Sequence, residues 1–76
     1  MEATIYTTAT CGYCKLAKDY LKNLGVSIIE KKVDQDPRLA EEMVRKTGQM
    51  GVPVITIKGT NIVGFDRNRI DNLLKN

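Results

Sequence analysis

Hydrophobic and polar positions change period several times along the chain, and each change marks an element. Ala3-Thr4-Ile5-Tyr6-Thr7 alternates with β-branched and aromatic side chains, which predicts a short strand. Thr8-Ala9-Thr10 interrupts it. From Cys11 to Leu24, the apolar residues Leu16, Ala17, Tyr20, Leu21 and Leu24 recur at three- and four-residue spacing. That is one face of an amphipathic helix, with Gly25 where a C-cap belongs. Lys15, Lys18 and Lys22 fall on another face of it, most simply a solvated one. Val26 to Val33 reads as a second strand, with Ile28 and Ile29 its strongest burial candidates.

Asp36-Pro37 has the chemistry of a helix start, a capping carboxylate followed by a proline at the first helical position. Leu39, Ala40, Met43, Val44 and Thr47 continue at helical spacing, and Gly48 ends the element. Val54 to Ile57 predicts a third strand, Lys58-Gly59-Thr60-Asn61 a tight turn, and Ile62-Val63 a short fourth strand. Asp66 caps a last helix whose inner face is Ile70, Leu73 and Leu74. The predicted order is β-α-β-α-β-β-α, an α/β fold with one four-stranded mixed sheet flanked by three helices. Strands one and two, joined through a helix, are expected parallel, and strands three and four antiparallel. Periodicity leaves two layers or three undecided.

Composition narrows the chemistry. Seventy-six residues suffice for one small domain, residues 1–76, and two cysteines permit one disulfide at most. That excludes a secreted multi-disulfide scaffold. The chain has no histidine. Cys–His and Ser–His–Asp nucleophiles, C2H2 fingers and imidazole-ligated metals are therefore excluded. Twelve Lys and Arg against nine Asp and Glu give a net charge of +3. The basic residues are spread along the chain and aromatics are scarce, so no nucleic-acid partner is expected. Met1 is followed by an acid and a strand-like segment rather than a basic stretch and an apolar run, and no apolar run has membrane-spanning length. A monomer in a reducing, cytoplasmic compartment, with no membrane partner, is expected.

The informative segment is Cys11-Gly12-Tyr13-Cys14 at the junction of the first strand and first helix. The unsatisfied N–H groups and positive dipole end of a helix N-terminus stabilise a thiolate at Cys11. Position i stacks over i+3, which brings the sulfurs within reach of a disulfide and sets Cys14 deeper. Cys11 is then expected to attack a substrate disulfide and Cys14 to resolve the mixed disulfide. Two plainer readings compete. Half of a zinc site would need two further ligands from another subunit. A structural pair would remove little unfolded-state entropy across so short a loop.

With these residues in view, nearly the whole chain resembles a glutaredoxin. The likeness rests on Tyr6-Thr7 before the Cys11–Cys14 motif, on Thr47-Gly48-Gln49 leading into Val52-Pro53, and on Ile62-Val63-Gly64-Phe65-Asp66 before the last helix. It implies a minimal thioredoxin-like fold and a cis Val52–Pro53 bond. It also implies glutathione as co-substrate, with the Val52 backbone pairing with the cysteinyl part. Gly64, Phe65 and Asp66 would hold the γ-glutamyl end, with Tyr13 and Gln49 lining the groove. Phe65 as a core residue and Asp66 as an N-cap are the plainer alternatives. Disulfide-containing proteins are the implied substrates.

Three positions depart from the family pattern. Thr8 stands where a lysine is common, Gly12 where a proline is, and Val63 replaces the first of a glycine pair. The Val63 departure resembles redoxins that serve ribonucleotide reductase and draw electrons from thioredoxin reductase. The small residue at position 12 resembles members holding a glutathione-ligated [2Fe-2S] cluster between two subunits; that is the lesser alternative, and no tightly bound cofactor or metal is expected.

Overall fold

The computed structural model describes residues 1–75. The elements run β1 (Glu2–Thr7), α1 (Gly12–Asn23), β2 (Ser27–Lys32), α2 (Pro37–Thr47), β3 (Val54–Ile57), β4 (Thr60–Val63) and α3 (Arg67–Lys75), in the expected order. The strands form one mixed sheet, β2-β1-β3-β4. β1 and β2 are parallel, from Glu2 opposite Ser27 to Thr7 opposite Lys32, and β3 is antiparallel to both β1 and β4.

The two-residue period of the strands settles the layering. Ala3 and Ile5 of β1, Ile55 and Ile57 of β3 and Ile62 of β4 point to one face, where Ala17 and Leu21 of α1 and Ile70 of α3 cover them. Tyr6 and Val54 point to the other face and meet Met43 of α2. Each fully buried aliphatic contributes on the order of 1.5–3 kcal/mol of transfer free energy. With α1 and α3 on one side and α2 on the other, the fold has three layers.

Local signals behave as written in several places. Asp36 Oδ1 accepts the Arg38 N–H at 2.9 Å with Pro37 opening α2, and Gly48 closes it. Asp66 Oδ1 accepts the Arg69 N–H at 3.2 Å at the start of α3. The β3–β4 turn is tighter than its sequence suggests. Lys58 (φ 50°) and Gly59 (φ 80°) alone make the loop, so β4 begins at Thr60.

Three burial expectations are corrected. Ile29 stays 43% exposed, because adjacent strand residues face opposite ways and only Ile28 joins the larger core cluster. Val26, just before β2, takes the buried place instead. Leu16 and Leu24 are also about half exposed, since α1 meets the sheet along a stripe centred on Cys14, Ala17 and Leu21.

Candidate active site

β1 ends at Thr7, and the chain turns through Thr8-Ala9-Thr10 before α1 begins. Two contacts hold this turn. The Cys11 N–H donates to the Thr8 carbonyl at 3.4 Å, and the Ala9 N–H donates to Asp34 Oδ2 at 3.0 Å. Cys11 is itself the N-cap of α1, with extended backbone (φ −91°, ψ 109°), and its Sγ accepts the Cys14 N–H at 3.1 Å. The sulfur thus occupies the place a Ser or Asp oxygen usually takes at a helix start, where it satisfies an otherwise orphan N–H.

The two thiols are free and differ sharply in environment. Cys11 is half-buried, whereas Cys14 is only 1% exposed. Burial, reinforced by its interaction with Cys11, pushes the Cys14 thiol up to about 12; a backbone hydrogen bond from Thr8 acts the other way. One sulfur reaches the surface, and the other is buried beside it and held protonated.

Opposite Cys11 lies the loop between α2 and β3. Its Val52–Pro53 bond is cis, as the resemblance implied. The Cys11 thiol points at the Val52 carbonyl at 3.9 Å, and the Gly64 N–H donates to the Pro53 carbonyl at 2.8 Å. Gly64 has φ +87°, a left-handed conformation that disfavours a side chain, so its glycine is a backbone requirement. These two contacts bring Cys11, Val52, Pro53 and Gly64 together. Gly12 is different, with no positive φ and open space where a Cβ would stand.

The remaining sequence-nominated residues are less uniformly placed. Tyr13 is 68% exposed at the helix start. Asp66 is exposed and caps α3. Phe65 packs against the larger core cluster, edge-on to Tyr20 with ring centroids 5.6 Å apart. The Gln49 amide turns onto its own loop. Its Nε2 donates to Thr47 Oγ1 at 3.3 Å and to the Gly51 carbonyl at 3.1 Å, while its Oε1 accepts the Gly51 N–H. Gln49 therefore braces the segment that leads into Val52.

The sequence reading missed a network behind the sulfurs. Glu30 Oε2 accepts the buried Thr7 hydroxyl at 2.7 Å and pairs with Lys18 Nζ at 3.0 Å. A cavity of about 370 Å³ lies on this side, reaching from Cys11 and Cys14 to Glu30 and Lys32. The lysines of α1 line it while Lys15 and Lys22 stay solvent-exposed. Their i, i+3, i+7 spacing was visible in the chain; that β2 would lie against them was not.

Titration follows from these contacts. An unfolded chain releases the Cys14 and Tyr6 protons near 9.0 and 10.0, whereas the folded chain holds each to about 12, chiefly through burial. The stability present below pH 9 is therefore lost as pH rises from about 9 through 12. At the acid end, Glu30 is held low first by the Thr7 hydroxyl, and Glu42 first by its hydrogen bond from Lys31. Their contribution is present above the ordinary carboxylate range and is lost as pH falls through the lowered values. Urea midpoints measured across pH should decline at both ends, and Cys14→Ala should flatten part of the alkaline limb. A wild-type midpoint unchanged from pH 9 to 11 would contradict this.

Among the described residues no three His, Cys, Asp or Glu side chains gather into a metal-ion site. With Cys14 buried, one chain offers a cluster a single accessible sulfur. A cluster here would need its remaining ligands from glutathione and a second chain.

A capping thiol, a buried thiol one turn on and a cis-proline loop across from them, set on this sheet, define a redox-type protein of thioredoxin-like fold. Comparison makes the class specific. The chain belongs to the glutaredoxin family, whose model matches residues 3–62. It is 44% identical over 71 residues to a glutaredoxin-like 8.6 kDa protein in the rubredoxin operon of Clostridium pasteurianum, covering 93% of this chain and 95% of that one. It is 40% identical over 78 residues to glutaredoxin 3 of Escherichia coli, covering 93% and 94%. Among solved structures it superposes on the glutaredoxin-like NrdH-redoxin from Escherichia coli with a TM-score of 0.81 at 32% identity, covering 96% and 95%.

Proposed function

We propose that this protein is a dithiol thiol–disulfide oxidoreductase, a cytoplasmic monomer that reduces disulfide-containing proteins and glutathione mixed disulfides. The observation that carries this reading is the pairing of Cys11 Sγ at the helix cap, 3.1 Å from the Cys14 N–H, with a second thiol buried behind it.

The chemistry runs through sulfur alone. The Cys11 thiolate attacks one sulfur of the substrate disulfide, and the other sulfur leaves as a thiolate that takes up a proton. Attack is in line with the breaking S–S bond, and the Val52 backbone beside Cys11 orients the incoming substrate. Cys14 then attacks Cys11 Sγ, its proton passing to the second substrate sulfur as that sulfur is expelled, which leaves a Cys11–Cys14 disulfide. Two electrons pass from the pair to the substrate. Two glutathione molecules restore the dithiol, becoming one glutathione disulfide. Val52, Pro53, Gly64 and Asp66 are the residues proposed to hold glutathione, with Tyr13 at the rim; Gln49 and Phe65 support the groove from behind.

A second reading is favoured by particular residues. Thr8 supplies no cation beside Cys11, and the Gln49 amide is spent within its own loop. Both weaken the grip on glutathione and favour thioredoxin reductase as the electron source, with ribonucleotide reductase a candidate substrate. Offering each reductant system in turn, with NADPH consumption as the readout, decides between them. Rapid turnover with glutathione supports the first reading; turnover confined to thioredoxin reductase replaces it with the second. Activity with neither rejects the oxidoreductase assignment.

A further inference from the structure

The cavity beside the sulfurs is bordered by Cys11 and Cys14 but by none of Val52, Pro53 and Gly64, and the proposed catalysis assigns no role to its remaining walls. Its walls carry four lysines, Lys15, Lys18 and Lys22 of α1 and Lys32 of β2, against two carboxylates, Asp19 and Glu30. Glu30 is already engaged by Lys18 and the Thr7 hydroxyl. Among the described residues Lys15, Lys22 and Lys32 make no ion pair. No aromatic side chain lines the cavity, which therefore lacks the stacking surface a single-stranded nucleic acid would use.

The cations are arranged in a line. At 1.5 Å rise per residue, Lys15 and Lys22 lie about 6 and 16 Å along α1 from Cys11. A single small anion cannot meet both, whereas an extended peptide, at about 3.3 Å per residue, covers that distance in roughly two to five residues. Cys11 stands at one end of the line, where the partner's disulfide must be during exchange.

We propose that this lysine-lined cleft is a docking surface for an acidic segment of the protein substrate, with carboxylates about two to five residues from the substrate's half-cystine in the disulfide that Cys11 attacks. The inference rests on the proposed disulfide exchange and adds the partner's charge and the spacing of its acidic residues. The cleft selects the substrate, and the thiol pair does the chemistry. Because the docking charges are largely solvent-exposed, the selection acts on association and weakens with salt.

The test uses glutathione mixed disulfides of short peptides in which the residues at those positions are Asp and Glu, Ser, or Lys. Initial rates at low substrate are compared at about 0.02 M and about 0.5 M ionic strength. The acidic peptide is expected to exceed the lysine peptide about tenfold or more in kcat/KM at low salt, through KM, and to converge within about twofold at high salt. The double variant Lys15→Glu/Lys22→Glu should invert the order. Arg45→Glu/Lys75→Glu, which changes net charge equally at a distance, should preserve it. Equal rates for all three peptides, or the same inversion in the distant variant, overturns the docking surface while leaving the oxidoreductase reading intact. Failure of the wild-type protein to turn over even the Ser peptide, with glutathione or with thioredoxin reductase, overturns that reading and this inference with it.

Discussion

Cys11→Ser is expected to abolish thiol transfer, lowering kcat/KM by at least about 10³-fold with every disulfide substrate and either reductant. The reason is positional. Cys11 is the sulfur at the cap of α1, half-exposed beside the cis-proline loop, whereas Cys14 is 1% exposed and its thiol is pushed up to about 12. A serine oxygen can still accept the Cys14 N–H as an ordinary N-cap, so the fold should survive. Far-UV circular dichroism and the urea midpoint check that it does. Full activity in this variant would mean that the nucleophile has been assigned to the wrong sulfur.

Cys14→Ser is expected to divide the activities instead of removing them. Reduction of a protein disulfide needs a second thiol to resolve the mixed disulfide, and Cys14 is held next to Cys11. Replacing this intramolecular attack by one from solution should slow protein disulfide reduction at least about a hundredfold. Removal of glutathione from a mixed disulfide should persist, because free glutathione resolves the Cys11–glutathione bond. Parallel assays on both substrate types make the comparison internal to one variant. Equal loss of both activities would show that Cys14 supports the site structurally and is not a resolving thiol.

Much of this was legible in the chain because the signals are local. The alternation of Ala3–Thr7, the Asp36-Pro37 start and the stop at Gly48 each satisfy a short-range geometric demand, and the structure places the elements there. The motif Cys11-Gly12-Tyr13-Cys14 could be set at a helix start because a strand pattern ends before it and a helical pattern follows. Side-chain placement was less legible where it depends on a neighbour from elsewhere in the chain. Ile29 looked as apolar as Ile28, yet only one can face the larger core cluster. Gln49 matched a groove-lining position, and only the structure closes its amide on Thr47 and Gly51. Phe65 matched a family position, and its ring rests against Tyr20, 45 residues earlier in the chain.

The sequence by itself determined the element order, the thiol pair and the absence of any imidazole to serve it, since these follow from residue type and spacing within a few turns of chain. Only the tertiary structure decided the three layers, the burial that separates Cys14 from Cys11, and the approach of the Val52 carbonyl to the exposed sulfur. It also decided that Lys15, Lys18 and Lys22 line a cleft against β2. Those properties arise from surfaces meeting across 10 to 50 residues of chain, where strand pairing and packing, not local preference, choose the neighbour.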